Sequence, residues 1–180
     1  NIVARITHAT NSQNPVDLKD LRANDARQTQ LEQSISALGY VYRRKRMETA
    51  PRPQDITSGA AAEAVLAVWR YAPHQARFLT REHFGKLYGT IFTESLNGAQ
   101  VVLAALLYRI SENRRRRPQE DDPTFVRYAS CFIAMQMGRR LLAAMNVELD
   151  QLDHRNFGQA RELVESRGDA WFVQAREDVQ

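Results

Sequence analysis

Val101-Val102-Leu103-Ala104-Ala105-Leu106-Leu107-Tyr108 decides the fold of this chain. The run leaves no polar position for solvent and shows none of the alternation of a half-buried strand. It reads as a helix surrounded on every side. Asn97 or a close neighbour begins that helix, and Arg114-Arg115-Arg116-Arg117 forms its basic end, where the helix dipole favours cations. Ala60 to Tyr71 is apolar almost all round as well, with Val65, Leu66, Val68 and Trp69 expected in the core and Pro73 expected to close the helix. The fold class that follows is mainly α, a multi-helix, bundle-like domain.

Further helices are read outward from these two. Thr80 is expected to cap a helix presenting Phe84, Leu87, Tyr88, Ile91 and Phe92, a stripe that reads as packing. After the acidic loop Gln119-Glu120-Asp121-Asp122, Pro123 suits the first position of a helix reaching about Met145. Phe125, Tyr128, Phe132, Met135 and Leu142 are its expected buried side. A last helix begins after Asn156, where Phe157, Ala160, Val164, Trp171, Ala175 and Val179 recur by threes and fours and Gly168 fills the missing step.

Toward the N-terminus, Ile2, Val3, Ile6 and Ala9 have the spacing of a helix end, and Asn14-Pro15 is expected to break it. Asn24 is the expected N-cap of a helix running to Leu38, with Asp25 in its first turn, Leu31, Ile35 and Leu38 on one face, and Gly39 ending it. Tyr40 to Met47 alternates, so Tyr40, Tyr42, Arg44 and Arg46 are expected on one side of an extended segment and Val41, Arg43, Lys45 and Met47 on the other. At most one short strand or hairpin is expected, near residues 40–47. Pro51 and Pro53 mark a linker, after which everything reads as helical. The expected organisation is residues 1–50, with the amide-rich turn, helix and basic extended segment, packed with a helical region 51–180 as one domain.

Order and spacing in the first half resemble a family signature. The residues are Ala9-Thr10-Asn11-Ser12-Gln13-Asn14-Pro15-Val16, then Asp20-Leu21-Arg22-Ala23-Asn24-Asp25, Gln28, Leu31-Glu32-Gln33, Gly39-Tyr40 and Tyr42-Arg43-Arg44-Lys45-Arg46. Phe84, Tyr88, Ile91 and Phe92 add a looser match. Together they resemble the C-terminal part of the domain of the AIPR family, proteins associated with abortive infection and phage resistance. The resemblance implies a defence context in a bacterial cell and supplies no reaction.

Composition bounds the rest. The chain has 180 residues with a net charge of +4, enough for one hydrophobic core. No window approaches the length of a membrane span, and no signal peptide is seen. Cys131 is alone, which excludes an intrachain disulfide and a cysteine-built metal site and fits a cytoplasmic compartment. The chain starts at Asn1, so a piece of a longer protein is expected, whose N-terminal region holds whatever chemistry exists.

The candidate nucleic-acid or ligand-binding residues are Asn11, Gln13, Asn14, Arg22, Asn24, Tyr42, Arg44 and Arg46. The side-chain amides can tie a turn to backbone groups or read a base edge, and both uses stay open. The tyrosines can stack on bases while the arginines meet phosphates. Equally, the tyrosines can bury their rings against the helix ending at Leu38 while the arginines are solvated or pair with acids such as Glu32. The run Arg114 to Arg117 reads as a solvated helix end. His8, His74, His83 and His154 are scattered, without metal-ligand spacing, and the grouping of Asp17, Lys19 and Asp20 is a weak nuclease signal. No cofactor and no metal are expected, and the fragment alone is expected to be non-catalytic. The leading expectation is a helical region of a phage-defence protein that binds nucleic acid or completes a site in the missing N-terminal region. Alternatives are a nuclease-type fragment with its catalytic groups upstream, or a protein-interaction or oligomerisation module. Expected partners are nucleic acid, the missing N-terminal region and a second copy of the chain, with no membrane.

Overall fold

The computed structural model describes residues 15–180, with side chains from residue 18. The expected helix end at Ile2 to Ala9 and the amide turn Asn11–Asn14 lie outside the described residues. In chain order the elements are α1 (Pro15–Arg22), α2 (Ala26–Ala37), β1 (Val41–Arg43), β2 (Asp55–Thr57), α3 (Ser58–Val68), α4 (Pro73–Phe78), α5 (Tyr88–Ile91), α6 (Gly98–Arg116), α7 (Val126–Met145) and α8 (Phe157–Val179). Two single 3₁₀ turns, Thr80–Glu82 and Leu149–Gln151, complete the described residues. The fold is mainly α.

Helix α6 is the axis, as its apolar run requires. It packs against α2, α3, α7 and α8, and Val101, Val102, Leu103, Ala104 and Leu107 are fully buried. Its start is fixed by a capping box in which the Asn97 side chain accepts from the Gln100 N–H at 2.9 Å and the Gln100 side chain accepts from the Asn97 N–H. Gln100 also donates to Leu149 O, and Asn97 to Leu152 O, so one cap anchors the turn that leads into α8. On α8 the expected residues Phe157, Ala160, Val164, Gly168, Trp171 and Ala175 are buried, and Phe172 joins them.

Several expectations need correcting. Asp25, not Asn24, caps α2, because the Asp25 carboxylate accepts from the Arg27 N–H at 3.0 Å while Asn24 is turned toward Arg44. The strand is only Val41–Arg43, and its partner Asp55–Thr57, in the segment read as linker, runs parallel to it. Pro73 opens α4, and α3 ends earlier, the chain turning at Tyr71, which holds a left-handed φ of 51°. Residues 80–92 form no long helix. Gly85 and Gly89 carry low helix propensity, and the chain there makes a 3₁₀ turn and the short α5. Phe84, Tyr88, Ile91 and Phe92 are nonetheless buried. Helix α7 starts at Val126, and its buried face is Val126, Cys131, Ile133, Ala134, Met137 and Leu141; Tyr128 is 75% exposed and Phe132 41%. Tyr128 and Phe132 suggested the wrong stripe because the face that packs against α3 is the one carrying Gly138, which lies against Val68.

Among the described residues no helix is long and apolar enough to cross a membrane.

Candidate functional site

The signature residues build a joint between α2, β1 and the turn before α2. Gln28 is 1% exposed, and its side chain accepts the Tyr42 hydroxyl at 2.6 Å while donating to the Tyr88 hydroxyl at 3.4 Å. Burial, with Tyr88 next, pushes the Tyr42 hydroxyl above its ordinary pKa against the bond to Gln28, which keeps it a donor. Arg22 lies over the Tyr88 ring at 4.3 Å and pairs with Asp25 at 3.7 Å. Arg44 donates to Glu32 at 2.8 Å, to Ala23 O at 2.9 Å and to Asn24 Oδ1 at 3.0 Å. The structure therefore brings Arg22, Asn24, Tyr42 and Arg44 together through internal contacts. Tyr42, 3% exposed, has no open face, and Arg44 meets the acid Glu32.

Arg46 lies beyond the strand, exposed and without an ion pair among the described residues. Because β1 ends at Arg43, the four residues Tyr40, Tyr42, Arg44 and Arg46 do not line one extended face. Arg43, read as the opposite side, is buried, bonded to Thr49 O at 2.7 Å and paired with Asp55 at 3.5 Å. The Arg52 N–H, aided by the Arg52 and Arg43 guanidiniums, holds the Asp55 carboxyl below its usual range against the opposing effect of burial. These contacts fix the β2–α3 junction.

At that junction lies a concentration of charge that the sequence did not announce. The Lys19 ammonium of α1 sits 3.2 Å from where a Cβ on Gly59 would be, so it is packed against the first turn of α3. That end of a helix carries partial positive charge, and the Gly59 N–H has no partner within the helix. Burial lowers the Lys19 pKa first; Asp20 opposes, Arg46 lowers it further and Glu63 opposes. Lys19 and Arg46 are thus cations close enough to feel each other beside a positive helix end.

Glu63 links this corner to a cavity of about 420 Å³ between the β2–α3 junction and the second half of α6. On the cavity floor the Tyr108 hydroxyl donates to Glu63 at 2.8 Å, and Tyr108 and Glu112 are each 7% exposed. Glu112 accepts from Arg115 Nε at 2.5 Å, from Arg77 at 3.4 Å and from Ser130 at 3.4 Å. Arg109 is held by the carbonyls of Pro53 and Asp55. The arginine run therefore divides. Arg114 is locked to Asp122 by two bonds of 2.8 Å, Arg115 faces Glu112, and Arg116 and Arg117 are exposed. Asp122, read as part of an acidic loop, has a fully buried carboxylate that also takes Arg176 at 2.7 Å.

Sequence reasoning missed Arg43, Glu63, Tyr108, Arg109 and Glu112. The available signal was polar groups at helical spacing, Tyr108 and Glu112, at the end of an otherwise apolar stripe.

No curated protein and no solved structure matches the chain. A family model described as AIPR protein matches residues 1–166 of the 180, and the chain belongs to that family.

Proposed function

We propose that this chain is a nucleic-acid-binding region of a phage-defence protein. The family points to the defence role. The observation that supports the binding is the corner at the start of α3, where the Lys19 ammonium is packed against a helix N-terminus and burial, with Arg46 adding to it against Asp20 and Glu63, lowers the Lys19 pKa. A phosphate there relieves both the mutual repulsion and the unmatched helix dipole. Arg116 and Arg117 extend the surface past Glu63 and the cavity. Asn11, Gln13 and Asn14 precede α1, which carries Lys19, and serve in this reading as the groups that meet base edges. Arg22, Asn24, Tyr42 and Arg44 act from behind, holding α1, α2 and β1 in register. Fluorescence anisotropy with labelled single-stranded DNA and RNA tests the reading. Lys19→Ala and Arg46→Ala are expected to weaken binding severalfold each at fixed salt. Unchanged affinity in both variants refutes the assigned corner.

A second reading, a protein-interaction module, is favoured by Tyr128 and Phe132, four residues apart on the outer side of α7 and exposed. Their replacement by serine separates the readings, since it is expected to leave oligonucleotide affinity unchanged.

A further inference from the structure

The cavity beside the cationic corner has its own chemistry. Its walls come from separate elements: Arg77 from α4, and Tyr108, Arg109, Glu112, Arg115 and Arg116 from α6. Its buried Glu112 carboxylate orients two guanidiniums, yet each reaches it through one nitrogen only, Arg77 through Nη1 and Arg115 through Nε. Most of the donors on both side chains stay unused. Arg116 and the Asn113 amide, also lining the cavity, have no side-chain partner among the described residues. A forked array of unused N–H donors around a small volume is what a tetrahedral oxyanion requires, because guanidinium edges match phosphate oxygens in pairs. Three carboxylates line the cavity, and Asp55 among them is paired with Arg43 and Arg52. Glu112 is neutralised by Arg77 and Arg115, and Glu63 is occupied by the Tyr108 hydroxyl and lies near Lys19.

Tyr108 and Glu112, both buried, line the inner side of the cavity. We propose that the cavity binds a terminal phosphate monoester, carried by a mononucleotide or by the end of a nucleic-acid strand. A monoester offers more charge and more acceptor oxygens than the diester of a continuous strand, and the volume lies in the range of small-ligand sites. This deepens the nucleic-acid reading by assigning the end of the ligand, and it stands on residues other than Lys19 and Arg46.

The test is isothermal titration of the whole chain with adenosine 5′-monophosphate against adenosine, and with a short oligothymidylate carrying or lacking a 5′-phosphate. The phosphate is expected to strengthen binding about tenfold in at least one pair, the gain of a charge-assisted contact. Arg116→Ala and Arg77→Gln are expected to abolish the gain, whereas Arg81→Ala, outside the cavity, retains it. Arg116 is exposed and unpartnered, so its loss leaves the fold intact, which circular dichroism verifies. A gain confined to the mononucleotide identifies a free-nucleotide site, and a larger gain for the oligonucleotide identifies strand-end recognition. No gain in either pair overturns the proposal, even where the oligonucleotide binds through Lys19 and Arg46. A gain that survives both Arg116→Ala and Arg77→Gln overturns it too, because the phosphate then sits elsewhere.

Discussion

Replacing Gln28 by leucine and Tyr42 by phenylalanine, singly and together, probes whether the signature residues act as an internal joint. Tyr42→Phe removes the 2.6 Å bond and leaves the Gln28 carbonyl oxygen unpaired where the residue is 1% exposed. An unsatisfied buried acceptor costs about 1–3 kcal/mol. Gln28→Leu keeps the volume but strands the Tyr42 hydroxyl, for a similar cost of about 2 kcal/mol, and also removes the longer bond to Tyr88. In the double variant both partners are apolar, so neither is left unsatisfied, and the expected cost falls to about 1 kcal/mol, below either single variant and far from the additive figure of about 4. For a chain of this length each kcal/mol moves Tm by about 2–4 °C. Thermal denaturation followed by circular dichroism is therefore expected to show drops of about 4–8 °C in each single variant and of only about 2–4 °C in the double. Strict additivity, or singles indistinguishable from wild type, refutes the joint.

The carboxylate of Asp122 yields an acid-stability prediction. Burial raises its pKa, but bonds from Arg114, the Gln119 N–H and Arg176 outweigh that and hold it at about 2, below the ordinary 3.8. A depressed carboxyl contributes stability that is fully present above its unfolded value and lost as pH falls through its folded value. Asp122→Ala is therefore expected to lower stability by about 2–3 kcal/mol at neutral pH, leaving Arg114 and Arg176 only their longer contacts to Asp121, with the gap narrowing by about 2 kcal/mol between about pH 4 and pH 2; a gap independent of pH in urea titrations contradicts this. Two glycines give opposite expectations. A Cβ at Gly138 meets Val68 Cγ1 at 2.5 Å and the Val68 carbonyl at 3.3 Å, so Gly138→Ala is expected to destabilise by about 1–2 kcal/mol despite better helix propensity. At Gly168 the close neighbour is the flexible tip of Ile110, so Gly168→Ala is expected to be neutral or stabilising in the same melts.

The fold was legible where one physical rule governed a whole segment. The all-apolar run at 101–108 demanded the central helix, the Asn97–Gln100 pair supplied its cap, and Gly39 took the positive φ of 85° that ends α2. It was illegible where tertiary context chose between equal stripes. On α7 the aromatic stripe competed with an aliphatic one of similar hydrophobicity, and the second is buried, with Gly138 on it admitting Val68 of α3. The strand Asp55–Thr57 escaped because three residues just after Pro51 and Pro53 carry too little pattern, and its parallel pairing with β1, accompanied by the buried Arg43–Asp55 contact, joins segments eleven residues apart. Of the candidate site, Arg44 meeting Glu32 had been foreseen as one of two outcomes. The cavity had not, because its residues are distributed over α3, α4 and α6 and meet only once those helices pack.

The central claim, that the corner built by Lys19 and Arg46 meets nucleic-acid phosphates, is tested most directly by the dependence of binding on salt. Association constants for a labelled single strand, measured by anisotropy across a series of sodium chloride concentrations, yield a log–log slope of about −0.7 per phosphate neutralised. The account predicts a steep negative slope for the wild type that becomes shallower by about one phosphate contact in Arg46→Ala, and by a similar amount in Lys19→Ala. A slope near zero in the wild type, or one unchanged in both variants, contradicts it.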